Sequence, residues 1–255
     1  MSNPMLQIVG MNIKHAGLNW AVRYGRQNRS NEQENDKNCL KAGFSSTTKG
    51  FGRRTYQGDS RTLAFYERHA RQFCNSTLRL NLNSLYIPFL KELPRGAKIL
   101  DAGCGSGRDA RAFAAKGYRL TAIDVSPALV REATKNSGQR CEVLRFQNMQ
   151  FNNEFDGIWA CASLLHVPRF EIRDVVRRFA KALKQNGILY VSLKKGKGEG
   201  LATDGRFYGY YDRNECTNLL AHDGDFKIVK SWESLGKDSA GRKQIWLNLI
   251  ARKSN

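Results

Sequence analysis

Three glycines, each separated by one residue, follow a predicted buried strand. Residues 99–108 read ILDAGCGSGR, in which Gly103, Gly105 and Gly107 come after the acidic residue Asp101. Glycines at this spacing allow the backbone to turn sharply and to approach a ligand that larger side chains would exclude. The helix predicted after them offers its unpaired N–H groups to the same ligand. The spacing therefore predicts a binding site for a nucleotide-type cofactor.

A second predicted strand, residues 118–123, is followed by Asp124, whose carboxylate can accept hydrogen bonds from both hydroxyls of a ribose. The dinucleotide-binding fingerprint needs a third glycine where this chain has Arg108. With Gly-x-Gly-x-Gly after Asp101, the chain instead resembles class I S-adenosylmethionine-dependent methyltransferases. The resemblance implies that the glycine loop contacts the methionine and ribose parts of S-adenosylmethionine and that Asp124 holds the ribose.

Further cofactor contacts are implied by the same resemblance. After the third strand, related enzymes place an acidic or amide side chain on the adenine amino group, with an apolar neighbour under the ring. Asn148 and Met149 occupy those places here. Cys161 ends the fourth strand beside the predicted cofactor site. Cytosine C5 methyltransferases use a cysteine nucleophile that usually follows a proline, whereas Ala160 precedes Cys161, so we interpret Cys161 as a buried thiol.

The resemblance covers roughly residues 66–252 and narrows to one branch of the superfamily. Residues 155–167, FDGIWACASLLHV, together with Tyr66-x-x-x-Ala70-x-x-Phe73, resemble the bacterial small-molecule methyltransferases grouped with the tellurite-resistance methyltransferase. In that group a tyrosine of the first helix covers the cofactor, which implies this role for Tyr66. An ordinary aromatic residue of an amphipathic helix is the alternative interpretation of Tyr66.

His166 and a glycine-rich basic segment are the candidate groups on the acceptor side. A neutral imidazole at His166 could remove a proton from a substrate thiol or hydroxyl, or the side chain could simply line the cofactor pocket. Methyl transfer to an already anionic nucleophile needs no base and depends on alignment. Residues 194–200, KKGKGEG, and the segment after Arg206 are expected to form either a lid that attracts an oxyanion or a solvated loop.

The elements that must position these residues alternate between strands and helices. This alternation predicts a doubly wound α/β fold with a mostly parallel, seven-stranded Rossmann-like methyltransferase sheet. Two last strands, residues 226–233 and 244–252, are predicted to form a C-terminal antiparallel hairpin. Residues 61–255 are assigned to this domain, and residues 1–60 to a basic, partly disordered N-terminal extension.

Composition limits the partners and the compartment. The net charge of +19 raises the chance of a nucleic-acid partner, but no aromatic residues interleave with the basic ones as in single-strand binders. The six cysteines form no Cys-x-x-Cys pair, which argues against a metal site and indicates reduced thiols. No membrane span or signal peptide is evident, so the sequence predicts a cytoplasmic protein without a membrane partner.

The favoured hypothesis is an enzyme that transfers the methyl group of S-adenosylmethionine to a small-molecule methyl acceptor such as a chalcogen oxyanion or a thiol. The first alternative keeps the cofactor and makes RNA or DNA the substrate, because of the positive charge. The second is a non-catalytic, cofactor-binding interaction protein.

Overall fold

The protein is described by a computed structural model that covers residues 57–237 and 242–254. Within these residues, nine strands belong to the sheet. They are β1 (Lys98–Ala102), β2 (Arg119–Asp124), β3 (Cys141–Val143), β4 (Phe155–Cys161), β5 (Leu183–Lys195), β6 (Glu199–Leu201), β7 (Phe207–Tyr211), β8 (Phe226–Lys237) and β9 (Lys243–Lys253). The helices are α1 (Gln57–Thr77), α2 (Asn83–Leu90), α3 (Arg108–Ala114), α4 (Pro127–Ser137), α5 (Arg169–Ala182) and α6 (Arg213–Ala221).

The sheet has a parallel centre with the order β3-β2-β1-β4-β5. β9 runs antiparallel to β5, from the pair Ile188 and Arg252 to the pair Lys194 and Trp246, and β8 pairs with β9. The predicted class and the antiparallel C-terminal addition are therefore confirmed. Because all parallel strands point the same way, their carboxyl ends lie at one edge of the sheet, where open α/β sheets bind ligands.

Both faces of the sheet are apolar because neighbouring residues of a strand point to opposite sides. Leu100 packs in the cluster beneath α5, whereas the adjacent Ile99 packs with Trp159 and Tyr190 on the side of α2 and α3. These four side chains are fully buried. The central strands β1 and β4 are thus covered on both faces, which explains their nearly continuous apolar runs in the sequence.

Helix starts follow the capping signals of the sequence. Ser126 caps α4 by accepting a hydrogen bond from the backbone N–H of Leu129 at 3.1 Å, and Pro127 occupies the first helical position. The strand predicted at residues 142–146 is shorter than expected, since β3 ends at Val143 and a 3-10 turn, Phe146–Asn148, follows. That turn brings Asn148 to the carboxyl edge.

The segment that begins at Lys194, which the sequence predicts to be a loop, is folded into strands instead. β5 continues through Lys195, and β6 and β7 form an additional antiparallel pair, with β7 parallel to the end of β5. The expected seven strands are thus present with two more. The predicted extension, residues 1–60, lies outside the described residues apart from its last four, which belong to α1.

No helix among residues 57–237 and 242–254 has both the length and the apolar character needed to cross a membrane. The longest of them, α1, has 21 residues, but charged and polar side chains occur along its whole length.

Candidate active site

The glycine loop between β1 and α3 is held in a shape that requires glycine. Gly103, Gly105 and Gly107 have φ angles of 83°, 52° and 74°, in the left-handed region that other residues avoid. A Cβ atom on Gly107 would lie 2.6 Å from the backbone oxygen of Ala133 in α4. One on Gly103 would lie 2.4 Å from Cβ of Ser163, in the loop after β4. The predicted spacing is therefore needed for close packing of backbone as well as for a turn.

Asp124 lies at the end of β2, next to this loop. Its Oδ2 accepts a hydrogen bond from the N–H of Gly105 at 3.0 Å, and its Oδ1 accepts one from the N–H of Ser126 at 3.0 Å. Burial raises the pKa of the carboxyl group above its ordinary value, although these N–H donors favour the ionised form. A carboxylate offers about four lone-pair sites, so acceptor capacity remains for two hydroxyl groups.

Asp101 points into the same edge of the sheet without a complete set of partners. Its side chain is 1% exposed, and within residues 57–237 and 242–254 its Oδ2 is one of three buried side-chain polar atoms that have no hydrogen-bond partner. Burial, followed by the nearby Asp109 carboxylate, raises its pKa well above the ordinary value. A buried acceptor of this kind needs a donor, and a cationic donor would stabilise its ionised form best.

Arg108 is the residue that stands in place of the third glycine, and its side chain turns inward. Its Nε and Nη2 donate to the carboxylate of Asp109 at 2.6 and 2.9 Å. The same carboxylate accepts hydrogen bonds from the hydroxyl of Tyr86 and from Nε1 of Trp159. Asp109 is thus satisfied by three side chains from α2, α3 and β4. This buried network fixes the first turn of α3 relative to the sheet.

Helix α1 covers the loop from above. The ring of Phe73 approaches Gly105 so closely that a Cβ there would lie 3.1 Å from it. Glu67 accepts hydrogen bonds from the hydroxyl of Ser126 at 2.5 Å and from the N–H of Ala128 at 3.0 Å, at the start of α4. The contacts of α1 therefore run along the ligand-binding edge of the sheet.

Tyr66 of α1 forms a hydrogen bond with His166, which lies in the loop after β4. The hydroxyl of Tyr66 lies 3.0 Å from Nε2 of His166, and Nδ1 of His166 lies 2.7 Å from the carbonyl oxygen of Phe207. A carbonyl can only accept, so Nδ1 carries the proton and Nε2 accepts from Tyr66. Burial lowers the pKa of His166 to about 3, and the charges of Arg206 and Lys194 also oppose its protonation.

Two buried cations lie next to this pair. Arg206 is 5% exposed, donates from Nε and Nη2 to Asp204, and donates from Nη1 to the hydroxyl of Tyr66 at 3.2 Å. Lys194 is 6% exposed, and its Nζ lies 3.7 Å from the ring centre of Tyr208. The guanidinium of Arg206 lies 5.3 Å from that same ring centre. Cations and aromatic faces are therefore packed together next to His166.

Residues 99–187 match the profile of a family described as a methyltransferase domain. Residues 99–187 thus belong to a methyltransferase domain. The strand order, the glycine loop and Asp124 of the structure agree with this assignment.

Curated relatives match part of the chain. The ubiquinone biosynthesis O-methyltransferase of Xanthomonas axonopodis pv. citri is 32% identical over 106 residues, which are 39% of this chain and 44% of that protein. The chain thus spans less than half the length of this curated relative.

Solved structures show the same fold. The 1,6-didemethyltoxoflavin-N1-methyltransferase of Burkholderia thailandensis, solved with 1,6-didemethyltoxoflavin and S-adenosylhomocysteine, superposes with a TM-score of 0.63 at 21% identity, over 79% of this chain and 92% of that one. A TehB-like methyltransferase of Corynebacterium glutamicum has a TM-score of 0.57 at 19% identity, over 75% and 99% of the two chains. These likenesses show the shared fold, and the resemblance to the tellurite-resistance group stays a prediction.

The methyltransferase domain fits its cofactor at two places. The amino group of S-adenosylmethionine can supply the cationic donor that the Oδ2 of Asp101 needs. The ribose hydroxyls can use the remaining lone pairs of Asp124. These two residues would hold the opposite ends of the methionine and ribose portion, with the glycine loop between them.

The other residues predicted to contact the cofactor are Asn148, Met149 and Cys161, and they differ in their exposure to solvent. Asn148 is exposed at the end of its 3-10 turn, whereas Met149 is 2% exposed and packs in the cluster beneath α5. Their roles at the adenine stay predictions. Cys161 ends β4 with its Sγ 3.7 Å from the hydroxyl of Ser192, and burial raises the pKa of its thiol to about 12. That value leaves the thiol protonated, which is unsuitable for a nucleophile.

The sequence interpretation placed Lys194 and Arg206 in a segment that forms either a lid or a solvated loop, and it assigned no role to Asp204. The available signal was the aromatic run at residues 207–211 directly after Arg206, whereas the glycines and charges of residues 194–205 resemble a solvated loop. The parallel pairing of Lys194 with Tyr210, at the junction of β5 and β7, is what buries these side chains.

Some of the positive charge on α5 and at the start of β5 is neutralised within the chain. Arg177 pairs with Asp174 and Asp223, and Lys184 pairs with Asp156. A nucleic-acid partner finds no support in these contacts. Within the described residues, no group of three or more His, Cys, Asp or Glu side chains could hold a metal ion.

Proposed function

We propose that the protein is an enzyme that transfers the methyl group of S-adenosylmethionine to a small-molecule nucleophile that reacts as an anion. When bound, the cofactor supplies an electrophilic methyl carbon on a sulfonium ion. The observation that carries the proposal is the burial of Lys194 and Arg206 beside His166, at the edge of the sheet that carries Asp101 and Asp124. A chalcogen oxyanion or a thiol belongs to this class of acceptor.

The two cations favour the ionised form of an acidic acceptor. A positive charge within a few ångströms lowers the pKa of a thiol or hydroxyl, so the nucleophile loses its proton to bulk water before it is enclosed for methyl transfer. The nucleophile then donates an electron pair to the methyl carbon while the carbon–sulfur bond breaks, which releases neutral S-adenosylhomocysteine. The residues beneath α1 contribute by aligning the nucleophile with the methyl carbon and by excluding water from the site.

His166 is proposed to position Tyr66 and not to act as a general base. A base must accept a proton, and an imidazolium at this place would lie beside Arg206 and Lys194. Its Nε2 is already used as the acceptor for Tyr66, while Nδ1 is held by the carbonyl of Phe207. Tyr66 in turn covers the edge where the cofactor and the acceptor meet.

Methyl transfer is tested with radiolabelled S-adenosylmethionine and a panel of acceptors matched in size. The panel pairs an acidic aryl thiol and an acidic phenol with the corresponding neutral alcohol and amine, and adds selenite and tellurite. We expect turnover with the ionised acceptors. Turnover confined to neutral or cationic amines would overturn the anionic class, and cofactor binding without any turnover would favour the non-catalytic alternative. The predicted cytoplasmic location stays a prediction.

A further inference from the structure

Tyr208 lies at the centre of the cluster that His166 forms with the two buried cations. The Nζ atom of Lys194 lies 3.7 Å from the centre of the Tyr208 ring, and the guanidinium carbon of Arg206 lies 5.3 Å from it. The imidazole of His166 is also close, with 4.9 Å between the two ring centres. Because the side chain of Tyr208 is only 4% exposed, its ring is packed on nearly every side.

The backbone that carries Tyr208 is fixed from several directions. The N–H of the preceding residue, Phe207, donates to Oγ1 of Thr62 in α1 at 2.8 Å, and its carbonyl oxygen accepts from Nδ1 of His166 at 2.7 Å. Within the β6–β7 pair, Tyr208 is the register partner of Gly200. Contacts from α1, from the loop after β4 and from β6 therefore hold this part of β7 in place.

The hydroxyl of Tyr208 is a donor that the rest of the described chain does not use. It forms no hydrogen bond with any residue of the ranges 57–237 and 242–254. In these ranges three side-chain polar atoms are fully enclosed without a partner, and this hydroxyl is not one of them. It therefore touches solvent, although the ring that carries it is buried. Burial raises the pKa of Tyr208 above its ordinary value, so the hydroxyl keeps its proton.

The polar groups around this hydroxyl are either donors or acceptors that are already engaged. Lys194 and Arg206 can only donate. The acceptor nitrogen of His166, Nε2, receives the proton of the Tyr66 hydroxyl. The carboxylate of Asp204 accepts from Arg206 through both of its oxygens. A ligand must therefore bring the acceptor, and beside two cations an anionic oxygen is the acceptor that binds best.

We propose that Tyr208 determines specificity by donating a hydrogen bond to a second oxygen of the methyl acceptor. The inference rests on the proposed function, because it narrows the anionic acceptor to one that carries an oxygen beside its nucleophilic atom. An aryl thiol with a carboxylate on the neighbouring ring carbon belongs to this class, as do the chalcogen oxyanions. The second oxygen binds the Tyr208 hydroxyl, and the two cations balance its charge. The nucleophilic atom is then left free to attack the methyl carbon.

The first experiment compares the ortho and para isomers of mercaptobenzoate on the full chain. Both isomers carry one thiol and one carboxylate, and only the ortho isomer holds an oxygen next to the sulfur. Affinities are measured by calorimetry with a thiol-free reductant, with and without S-adenosylhomocysteine. We expect the ortho isomer to bind about tenfold more tightly, the effect of one hydrogen bond to a charged group. Equal affinities, a preference for the para isomer or binding of neither would overturn the proposal.

Matched variants assign the preference to the hydroxyl. Tyr208→Phe keeps the ring against Lys194 and Arg206 and should lower affinity for the ortho isomer about tenfold, while affinity for the para isomer changes less than twofold. Tyr211→Phe is the control, because it removes a tyrosine hydroxyl that is fully enclosed, and it should bind both isomers like the unmodified chain. Equal losses for the two isomers in Tyr208→Phe would mean that Tyr208 acts through packing alone, against the proposal.

Turnover with radiolabelled S-adenosylmethionine separates this inference from the proposed function. We expect kcat/KM for the ortho isomer to fall about tenfold in Tyr208→Phe, mainly through a higher KM, with affinity for S-adenosylhomocysteine unchanged within twofold. If both isomers are methylated equally well by the unmodified chain, the proposed function stands and the role of Tyr208 is wrong. If no acceptor is methylated, the proposed function fails, and the isomer preference in binding still decides whether Tyr208 recognises the second oxygen. That preference is measured on the unmodified chain and needs no variant to fold.

Discussion

The proposed cofactor end and the proposed acceptor end of the site are built in different ways. At the cofactor end, Asp101, the glycine loop and Asp124 lie within 24 consecutive residues. The shape of this end is set mainly by the backbone conformation of the loop. At the acceptor end, the guanidinium of Arg206 meets the hydroxyl of Tyr66 across 140 positions of sequence. A local spacing is sufficient to specify the first end, whereas the second exists only after α1, β5 and β7 have packed together.

The largest effect is expected on the free energy of unfolding when the close backbone packing of the glycine loop is disturbed. Gly107→Ala should lower the free energy of unfolding by about 3 kcal/mol, because its Cβ would meet the backbone of Ala133 and its φ is 74°. Gly117→Ala is the control, since its φ is 84° but nothing lies within 4 Å of the added Cβ. It should cost about 1 kcal/mol from backbone strain. Urea denaturation measures both, and equal losses would show that the close approach to α4 is unimportant.

The next effect is a loss of affinity for S-adenosylhomocysteine, which tests the proposed cofactor end separately from the acceptor end. Asp124→Asn should weaken binding of S-adenosylhomocysteine about 100-fold, because hydrogen bonds to a charged group contribute about 1.5–3 kcal/mol and the amide cannot accept on both sides. Isothermal titration calorimetry gives the affinity, and circular dichroism checks that the sheet is retained. An affinity within threefold of the unmodified protein would remove Asp124 from the site.

A smaller effect is expected at the acceptor end. The double variant Arg206→Met with Asp204→Asn removes a buried ion pair as a unit, which avoids leaving one charge uncompensated. We expect kcat/KM for an anionic acceptor to fall about 30-fold, with about 2 kcal/mol lost. Affinity for S-adenosylhomocysteine should change less than threefold. If both quantities fall together, the two ends are not separable as described.

The smallest effect concerns pH. The folded pKa of His166, about 3, lies below its ordinary value of about 6.5, so only the unfolded chain binds this proton between those values. The stabilisation is complete above pH 6.5 and is lost as the pH falls toward 3, by at most about 1.4 kcal/mol per pH unit. Between pH 6.5 and 5.5 the unmodified protein should lose about 1 kcal/mol more than His166→Gln.

Urea denaturation at the two pH values gives this difference for His166. Because other groups titrate equally in both proteins, the difference between their pH slopes isolates the imidazole. Identical slopes would mean that His166 is not held neutral by its surroundings.

The same contrast explains how much of the molecule could be predicted from the sequence. The α/β class, the positions of β1, β2 and β4, and the cap of α4 are local signals, because strand periodicity, glycine spacing and a Ser-Pro start each act over a few residues. β4 lies at the predicted residues 155–161. The positive φ angles of the three glycines follow from the same spacing.

The acceptor end could not be predicted because its residues have no local pattern. Lys194 and Arg206 are cations near glycines, a composition typical of solvated loops. Their burial comes from the pairing of β7 with the end of β5, which involves two residue pairs. Tertiary pairing therefore decides what these side chains do.

The most direct test of the central claim is a calorimetric titration of the reduced protein with S-adenosylmethionine and S-adenosylhomocysteine, with NAD as the comparison ligand. The account predicts micromolar binding of the two sulfur compounds and none of NAD, because the glycine loop, Asp101 and Asp124 are arranged for a ribose and an ammonium group without a pyrophosphate. Binding of NAD instead, or of none of the three, would contradict the assignment of this edge of the sheet as an S-adenosylmethionine site.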